Sequence, residues 1–438
     1  MSKTRIIQTG LAVLAFVLCI GMIYATGRDN DGFSDSPDYI AAARMLIEHG
    51  SYPAVGGLSF FRAPLYPFFM AMTWIVTGES VFAVKVVQSV LHVVTVLMIF
   101  RTAKFLSGSA LVATISGFLF AVNPFFLYQA SAVQTEALHT FLVTLGLLLL
   151  VRMIVSEDGF DLITAAAAGV SFGLAALCKP SALGVGIVLA VVMFALCFRR
   201  KKSFAASAVM VVTMYAAILP WSFYNLKTRG EFILINDAGG FALWSGNHSA
   251  NLRVYEGHFA SKEETQQYQD YLGKELAAEQ IAEWERTGVG YDRLSYKERE
   301  SLWQQKAIEN AKADPGITLR LIFWKLVAYW RPWLSADIYS TKGMLISAVM
   351  LVPLLVLGLA GMFISLKRQR TRKVVILYVV MLLFVSAVHA IVVSSIRLRL
   401  PYVDPFLTIF ASIAIVAILT KVGKDQIEAV DRFLEGSH

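Results

Sequence analysis

Residues 34–67 read SDSPDYIAAARMLIEHGSYPAVGGLSFFRAPLYP. The stretch follows the first apolar run and gathers Asp35, Asp38 and Tyr39 with Arg62, Pro64, Tyr66 and Pro67. Two acids, a base and several aromatics thus sit beside a hydrophobic segment. Most of the remaining chain is lipid-soluble and could hold them at a membrane surface.

The chain is 57% hydrophobic and 16% charged, with a mean hydropathy of +0.61. Soluble domains lie nearer roughly 45–50% apolar and about 25% charged. The excess comes in long runs, and a helix needs about 20 apolar residues to cross a bilayer. Runs at 6–25, 80–100, 109–127, 136–153, 162–178, 181–198, 204–223, 343–365, 374–393 and 403–420 predict an all-α polytopic membrane protein with about ten transmembrane helices. Pro64 and Pro67 break the apolar segment 63–77, which is expected to lie at the interface or enter obliquely. The first run follows Lys3 and Arg5 and lacks a small-x-small cleavage site, so an uncleaved span is expected.

The net charge of +8 does not point to nucleic acid, because much of it lies in short clusters between the runs. Arg101 and Lys104, Arg152, Arg199 to Lys202, Lys367 to Lys373, and Lys421 with Lys424 all fall on one side if the N-terminus is cytoplasmic. That topology puts 26–79, 128–135, the Lys179–Pro180 turn, 224–342 and 394–402 outside. It divides the chain into a transmembrane catalytic module, 1–223, an outer region, 224–342, and C-terminal transmembrane helices with a tail, 343–438. Ser261–Glu283 and Leu294–Ala313 read as exposed amphipathic helices, broken at Gly288–Asp292. Leu319–Trp333, with Trp324, Trp330 and Trp333, is expected along the membrane. Cys19, Cys178 and Cys197 each lie in an apolar segment and suggest no disulfide framework.

Several residues could carry chemistry. Asp35 and Asp38 share one side of a helix, but they also read as an N-cap and a first-turn acid. Glu136 opens an apolar helix at the outer surface, where an acid is expensive and defaults to a functional reading. Lys179 lies between two apolar runs, as a snorkelling lysine could. Arg397 and Arg399 stand outside, against the positive-inside trend. Their planar forks suit phosphate, whether a ligand's or a lipid's. No P-loop, G-x-S-x-G or histidine metal spacing is present.

In order along the chain, these residues resemble the lipid-linked-sugar glycosyltransferases of the GT-C class. The likeness is to the bacterial branch that includes the lipid A aminoarabinose transferase and is related to protein O-mannosyltransferases. The matching elements are Asp35-Ser-Pro-Asp38-Tyr39, Arg62 to Pro67, Glu136, Lys179–Pro180, Pro220-Trp221 with Asn225, Gly240-Phe-Ala-Leu-Trp-Ser-Gly246-Asn247, and Arg397-x-Arg399-Leu-Pro401. Ser36 stands where many relatives have Glu, and Tyr224 where many have Arg.

The resemblance implies a GT-C fold with a small outer helical region and a sugar donor on a polyprenyl phosphate. The acceptor would be a lipid, glycan or protein, reached at the outer face of a bacterial inner membrane. It makes Asp35 the general base of an inverting displacement, with Asp38 and Glu136 as further catalytic acids. Arg62, Lys179, Arg397 and Arg399 would hold the donor phosphate, and Tyr39, Tyr66, Asn247 and His248 the substrate. The three acids offer oxygens that a divalent cation could take, although no spacing marks a metal site. A flippase of lipid-linked sugars, or an O-antigen ligase or polymerase with arginine-based activation, would share many of these features.

Overall fold

The computed structural model describes residues 3–31, 35–52, 62–156, 160–236, 238–257, 262–286, 294–335 and 341–435. Helices make up the regular structure of these residues, and no strand occurs among them. In lipid every backbone donor and acceptor must be satisfied within the chain, so apolar runs fold as helices. The expected runs appear as α1 (Lys3–Thr26), α4 (Val81–Ser107), α7 (Glu136–Val155) and α10 (Ser203–Arg229), followed near the C-terminus by α16 (Thr341–Leu366), α17 (Gln369–Ile391) and α18 (Ile396–Val422).

These seven are long and apolar enough to span, and α5 (Ala110–Ala121) with α6 (Pro124–Ser131) forms an eighth candidate bent by 51°. The bend falls at Asn123–Pro124, where the Asn123 side chain caps α6. The runs at 162–178 and 181–198 form α8 (Leu162–Cys178) and α9 (Ser181–Cys197), apolar but shorter than a full crossing. The protein is a multi-pass membrane protein.

Small residues let the spans approach closely. A Cβ on Gly169 of α8 would lie 2.1 Å from the Met210 carbonyl of α10, and one on Gly361 of α16 would lie 1.7 Å from the Phe410 carbonyl of α18. Helix α18 is consequently central, with every residue from Arg399 to Ala414 buried.

Different elements gather at the two ends of the bundle. At one end α19 (Lys424–Glu435) pairs Glu435 with Lys104, sets Asp431 on the α5 N-terminus, and places Phe433 under Lys3. Arg200 binds the carbonyls that end α7 at the same end. The opposite end carries α2 (Ser36–His49), α3 (Leu65–Thr77), the α6–α7 and α8–α9 turns and the start of α18.

The described residues of the region 224–342 include a small core of their own. In it, Trp244 of α11 (Gly239–Gly246) packs against Trp303 of α14 (Tyr296–Ala313), with the tilted rings' centroids 4.6 Å apart. Ser295 and Glu298 form a capping box on α14. The second long polar helix, α13 (Lys262–Arg286), precedes it, and the expected break at Gly288–Asp292 lies outside the described residues. Helix α12 (Asn251–Glu256) precedes α13, and α15 (Pro315–Trp330) follows α14.

Candidate active site

Local sequence chemistry brings distant residues to one place. Ser36 donates its hydroxyl to the Val133 carbonyl at 2.8 Å, and Val133 N–H donates to Asp31 at 3.1 Å. Gln88 donates to the Ala130 and Ala132 carbonyls at 3.1 and 2.8 Å and accepts from Tyr66 at 2.6 Å. These bonds pin the start of α2 against the α6–α7 turn, so Asp35 arrives beside Glu136. Lys179 precedes Pro180, which disfavours the helical region for it. It is extended accordingly (φ −143°, ψ 117°), and its side chain leaves the α8–α9 turn toward Glu136.

The result is a chain of alternating charges. Asp38 accepts from Arg62 at 2.7 Å, and Arg62 also donates to one Asp35 oxygen at 3.1 Å. The other Asp35 oxygen accepts from Arg397 at 2.9 Å. Arg397 continues to Glu136, whose same oxygen accepts from Lys179 at 2.7 Å. Three carboxylates thus meet three cations, with Glu136 fully buried and the Asp35 and Asp38 side chains each 24% exposed. A buried carboxylate is tolerated only when paired, and here it has two partners. Asp35 occupies the N-cap position of α2 yet makes no side-chain cap bond. Its oxygens are spent on the two guanidinium groups instead.

Tyr39 lies beneath Arg62, with the ring centroid 5.8 Å from the guanidinium, and meets Tyr66 edge-on at 5.1 Å. Burial pushes the Tyr39 hydroxyl well above its ordinary range, so it stays protonated.

Arg399 does not join this set. It is buried, pairs with Asp404 at 3.3 Å, and donates to the Tyr329, Trp330 and Arg331 carbonyls at the end of α15. Two arginines two positions apart on a helix point in different directions, and only Arg397 faces Asp35 and Glu136. Asn247 and His248 are likewise engaged elsewhere. Asn247 donates to Ile391 O at 2.8 Å and accepts from the fully buried Lys325 at 2.8 Å, while His248 meets Glu279 at 2.8 Å. Lys325 also donates to Val392 O at 2.9 Å, completing a cap on α17. The turn that launches Arg397 is therefore clamped by the outer region.

Gln88 and Asp404 were not singled out in the sequence, Ser36 stood there only as a departure from the relatives' Glu, and Lys325 only as part of the segment 319–333. Asp404 carried a signal, an acid within an apolar run. The others are ordinary polar residues until their partners are known. Among the described residues no three His, Cys, Asp or Glu side chains converge as metal ligands.

Arg397 also borders a cavity of about 430 Å³ whose walls include Met22, Phe125, Tyr128, Ile346 and Leu400. The volume is in the range of small-molecule sites, about 300–1,000 Å³.

Residues 61–224, which carry Arg62, Glu136 and Lys179, match the family described as dolichyl-phosphate-mannose-protein mannosyltransferase. No curated protein matches the chain. The archaeal oligosaccharyltransferase AglB from Archaeoglobus fulgidus, in complex with an inhibitory peptide and a dolichol-phosphate, superposes with a TM-score of 0.56 at 15% identity, covering 96% of this chain and 52% of that one. The Archaeoglobus fulgidus oligosaccharyltransferase in the apo form gives 0.56 at 13% identity, covering 98% and 52%. ArnT from Cupriavidus metallidurans bound to undecaprenyl phosphate gives 0.43 at 14% identity, covering 95% and 79%. The chain spans about half the length of AglB. The chain has the GT-C fold.

Proposed function

We propose that the protein transfers a sugar from a polyprenyl-phosphate donor to a hydroxyl on a lipid, glycan or protein acceptor. The reaction runs at the outer face of a bacterial inner membrane, with the region 224–342 on that side. The observation that carries this reading is Asp35: at an N-cap position it caps nothing, and its two oxygens hold two arginines beside an apolar cavity.

The donor phosphate enters where Arg397, Lys179 and Arg62 converge, and it competes with the carboxylates for their hydrogen bonds. Arginine and lysine at close range suit a phosphate oxygen. The apolar walls beside Arg397 take the phosphate-proximal end of the lipid. The acceptor oxygen attacks the anomeric carbon, and the bond from that carbon to the phosphate oxygen breaks. The bonding pair leaves with the phosphate, and the acceptor proton passes to Asp35. A transition state of oxocarbenium character is expected. General-base help of this kind is typically worth about 10²–10⁴-fold. Fixed positive charge at the departing phosphate acts as preorganised stabilisation. Asp38 orients Arg62, and Glu136 fixes Arg397 and Lys179. Arg399, Asn247 and Lys325 set the position of the α18 start and touch no substrate.

The AglB structure holds a dolichol-phosphate, and the matched family is described by a dolichyl-phosphate-mannose donor. Both support a lipid-phosphate donor here. The test is mass analysis of envelope lipids and glycans from a deletion strain beside its parent. One glycosylated species should vanish, and its unglycosylated form should accumulate. An unchanged glycan and lipid profile overturns the reading.

A further inference from the structure

The cavity beside Arg397 is not wholly apolar. Two glutamines line it, Gln129 of α6 and Gln134 of the α6–α7 turn, at 3% and 1% exposure. Both side-chain polar atoms of Gln129 and the Oε1 of Gln134 are buried without a hydrogen-bond partner in the structure. Leaving such groups unpaired is costly, about 1–3 kcal/mol each, so they call for a partner. Isoprene units offer none, since they carry neither donor nor acceptor.

Gln129 also borders a space of about 10 Å³ between His92 and Thr140, whose Nε2 and Oγ1 are unpartnered too. That space is at the limit for one water, about 10–15 Å³. One water there can satisfy one of the two unpartnered Gln129 atoms and leaves the other without a partner. Gln134 does not border it.

Among the described lining residues the large cavity has no carboxylate, and Arg397 is its one cation. The proposed function assigns that cation to the phosphate. An amino sugar would find no counter-charge on these walls, and an acidic sugar no second base. An amide offers both a donor and an acceptor, which is what a hydroxyl needs.

We propose that Gln129 and Gln134 form the subsite for the transferred sugar and read hydroxyls of an uncharged ring. The inference rests on the donor-phosphate reading, and its test separates the two. Equilibrium binding to the purified full chain is measured for farnesyl phosphate and for its mannosyl, glucosyl and 4-amino-4-deoxyarabinosyl conjugates. Arg397→Ala, Gln129→Leu and Gln134→Leu are compared with the parent.

At least one neutral conjugate should bind the parent about tenfold tighter than farnesyl phosphate, as one or two added hydrogen bonds would give. Each leucine variant should erase most of that gain and leave bare farnesyl phosphate unchanged. Arg397→Ala should weaken every ligand together. Should a leucine variant not fold, the closer-shaped Gln→Met variant decides in its place.

Failure of farnesyl phosphate to bind the parent overturns the donor-phosphate reading itself. If it binds, three results overturn the sugar subsite alone. They are no gain from either neutral sugar, a gain that survives both glutamine variants, or an equal loss of the bare ligand. Preference for the amino sugar overturns the assignment of an uncharged ring.

Discussion

Glu136→Gln tests whether the buried carboxylate is the neutralising centre of the site. The Glu136 side chain is fully buried, and one oxygen takes both Lys179, at 2.7 Å, and Arg397. Glutamine keeps the size and one acceptor and removes the charge. Breaking a buried ion pair from one side costs about 3–5 kcal/mol. Arg397 retains Asp35 at 2.9 Å and is itself 29% exposed, so the loss falls mainly on Lys179. We expect the lower end, about 3 kcal/mol. Removing the stranded cation as well, in Glu136→Gln with Lys179→Met, should recover most of this, for a coupling of about 2 kcal/mol. The assay is equilibrium unfolding of the parent, the two single variants and the double variant in lipid. Bare polyprenyl phosphate should also bind Glu136→Gln at least as tightly as the parent, because Glu136 no longer competes for Lys179 and Arg397. A Glu136→Gln variant within about 0.5 kcal/mol of the parent, or strictly additive single effects, refutes the reasoning.

Three other outcomes follow from the packing. Asp404→Asn strands the buried Arg399 and should cost about 3–5 kcal/mol in the same unfolding assay, while leaving farnesyl phosphate affinity within about twofold in protein that remains folded; a selective loss of phosphate affinity would return Arg399 to the site. Gly361→Ala puts a methyl 1.7 Å from the Phe410 carbonyl, so α16 and α18 must part, at a cost of about 1–3 kcal/mol by thermal melting, and an unshifted melt contradicts the close contact. Burial alone pushes Glu283 up, but Arg286 and Lys306, each at 2.7 Å, outweigh it and hold the carboxyl below its ordinary 4.5. A lowered carboxyl stabilises the fold above the unfolded pKa and loses that contribution as pH falls through the folded one. Tryptophan fluorescence should therefore show the outer region weakening below about pH 4.5, and Glu283→Gln should flatten that dependence.

The spans were legible because lipid leaves the chain few choices. An apolar run of span length must be a helix, and basic clusters mark its ends. The bend at Asn123–Pro124 was not expected, since a single run at 109–127 hides a break that only capping chemistry explains. Lys179–Pro180 was readable as a place, and the extended conformation that Pro imposes aims the lysine. The division between Arg397 and Arg399 could not be read, because both are arginines at one span start. It depends on Asp404 and the end of α15 lying on one side and Glu136 on the other. Asn247 belongs to a motif that reads as substrate-binding by resemblance. Its amide is occupied by Lys325 and Ile391, residues 78 and 144 positions away. Long-range pairings of this kind leave no local periodicity to detect.

The most direct measurement of the central claim is the rate of sugar transfer by Asp35→Asn, with donor affinity measured on the same protein. The parent Asp35 makes no cap bond, so a capping role predicts little change, and asparagine caps almost as well as aspartate in any case. As general base, Asp35 is required for proton removal. Turnover should fall by roughly two to four orders of magnitude while donor binding survives. Asp38→Asn, which keeps Asp35 in place, should lose less. Near-parental transfer by Asp35→Asn contradicts the account, and near-parental transfer by both variants moves the chemistry to the arginines.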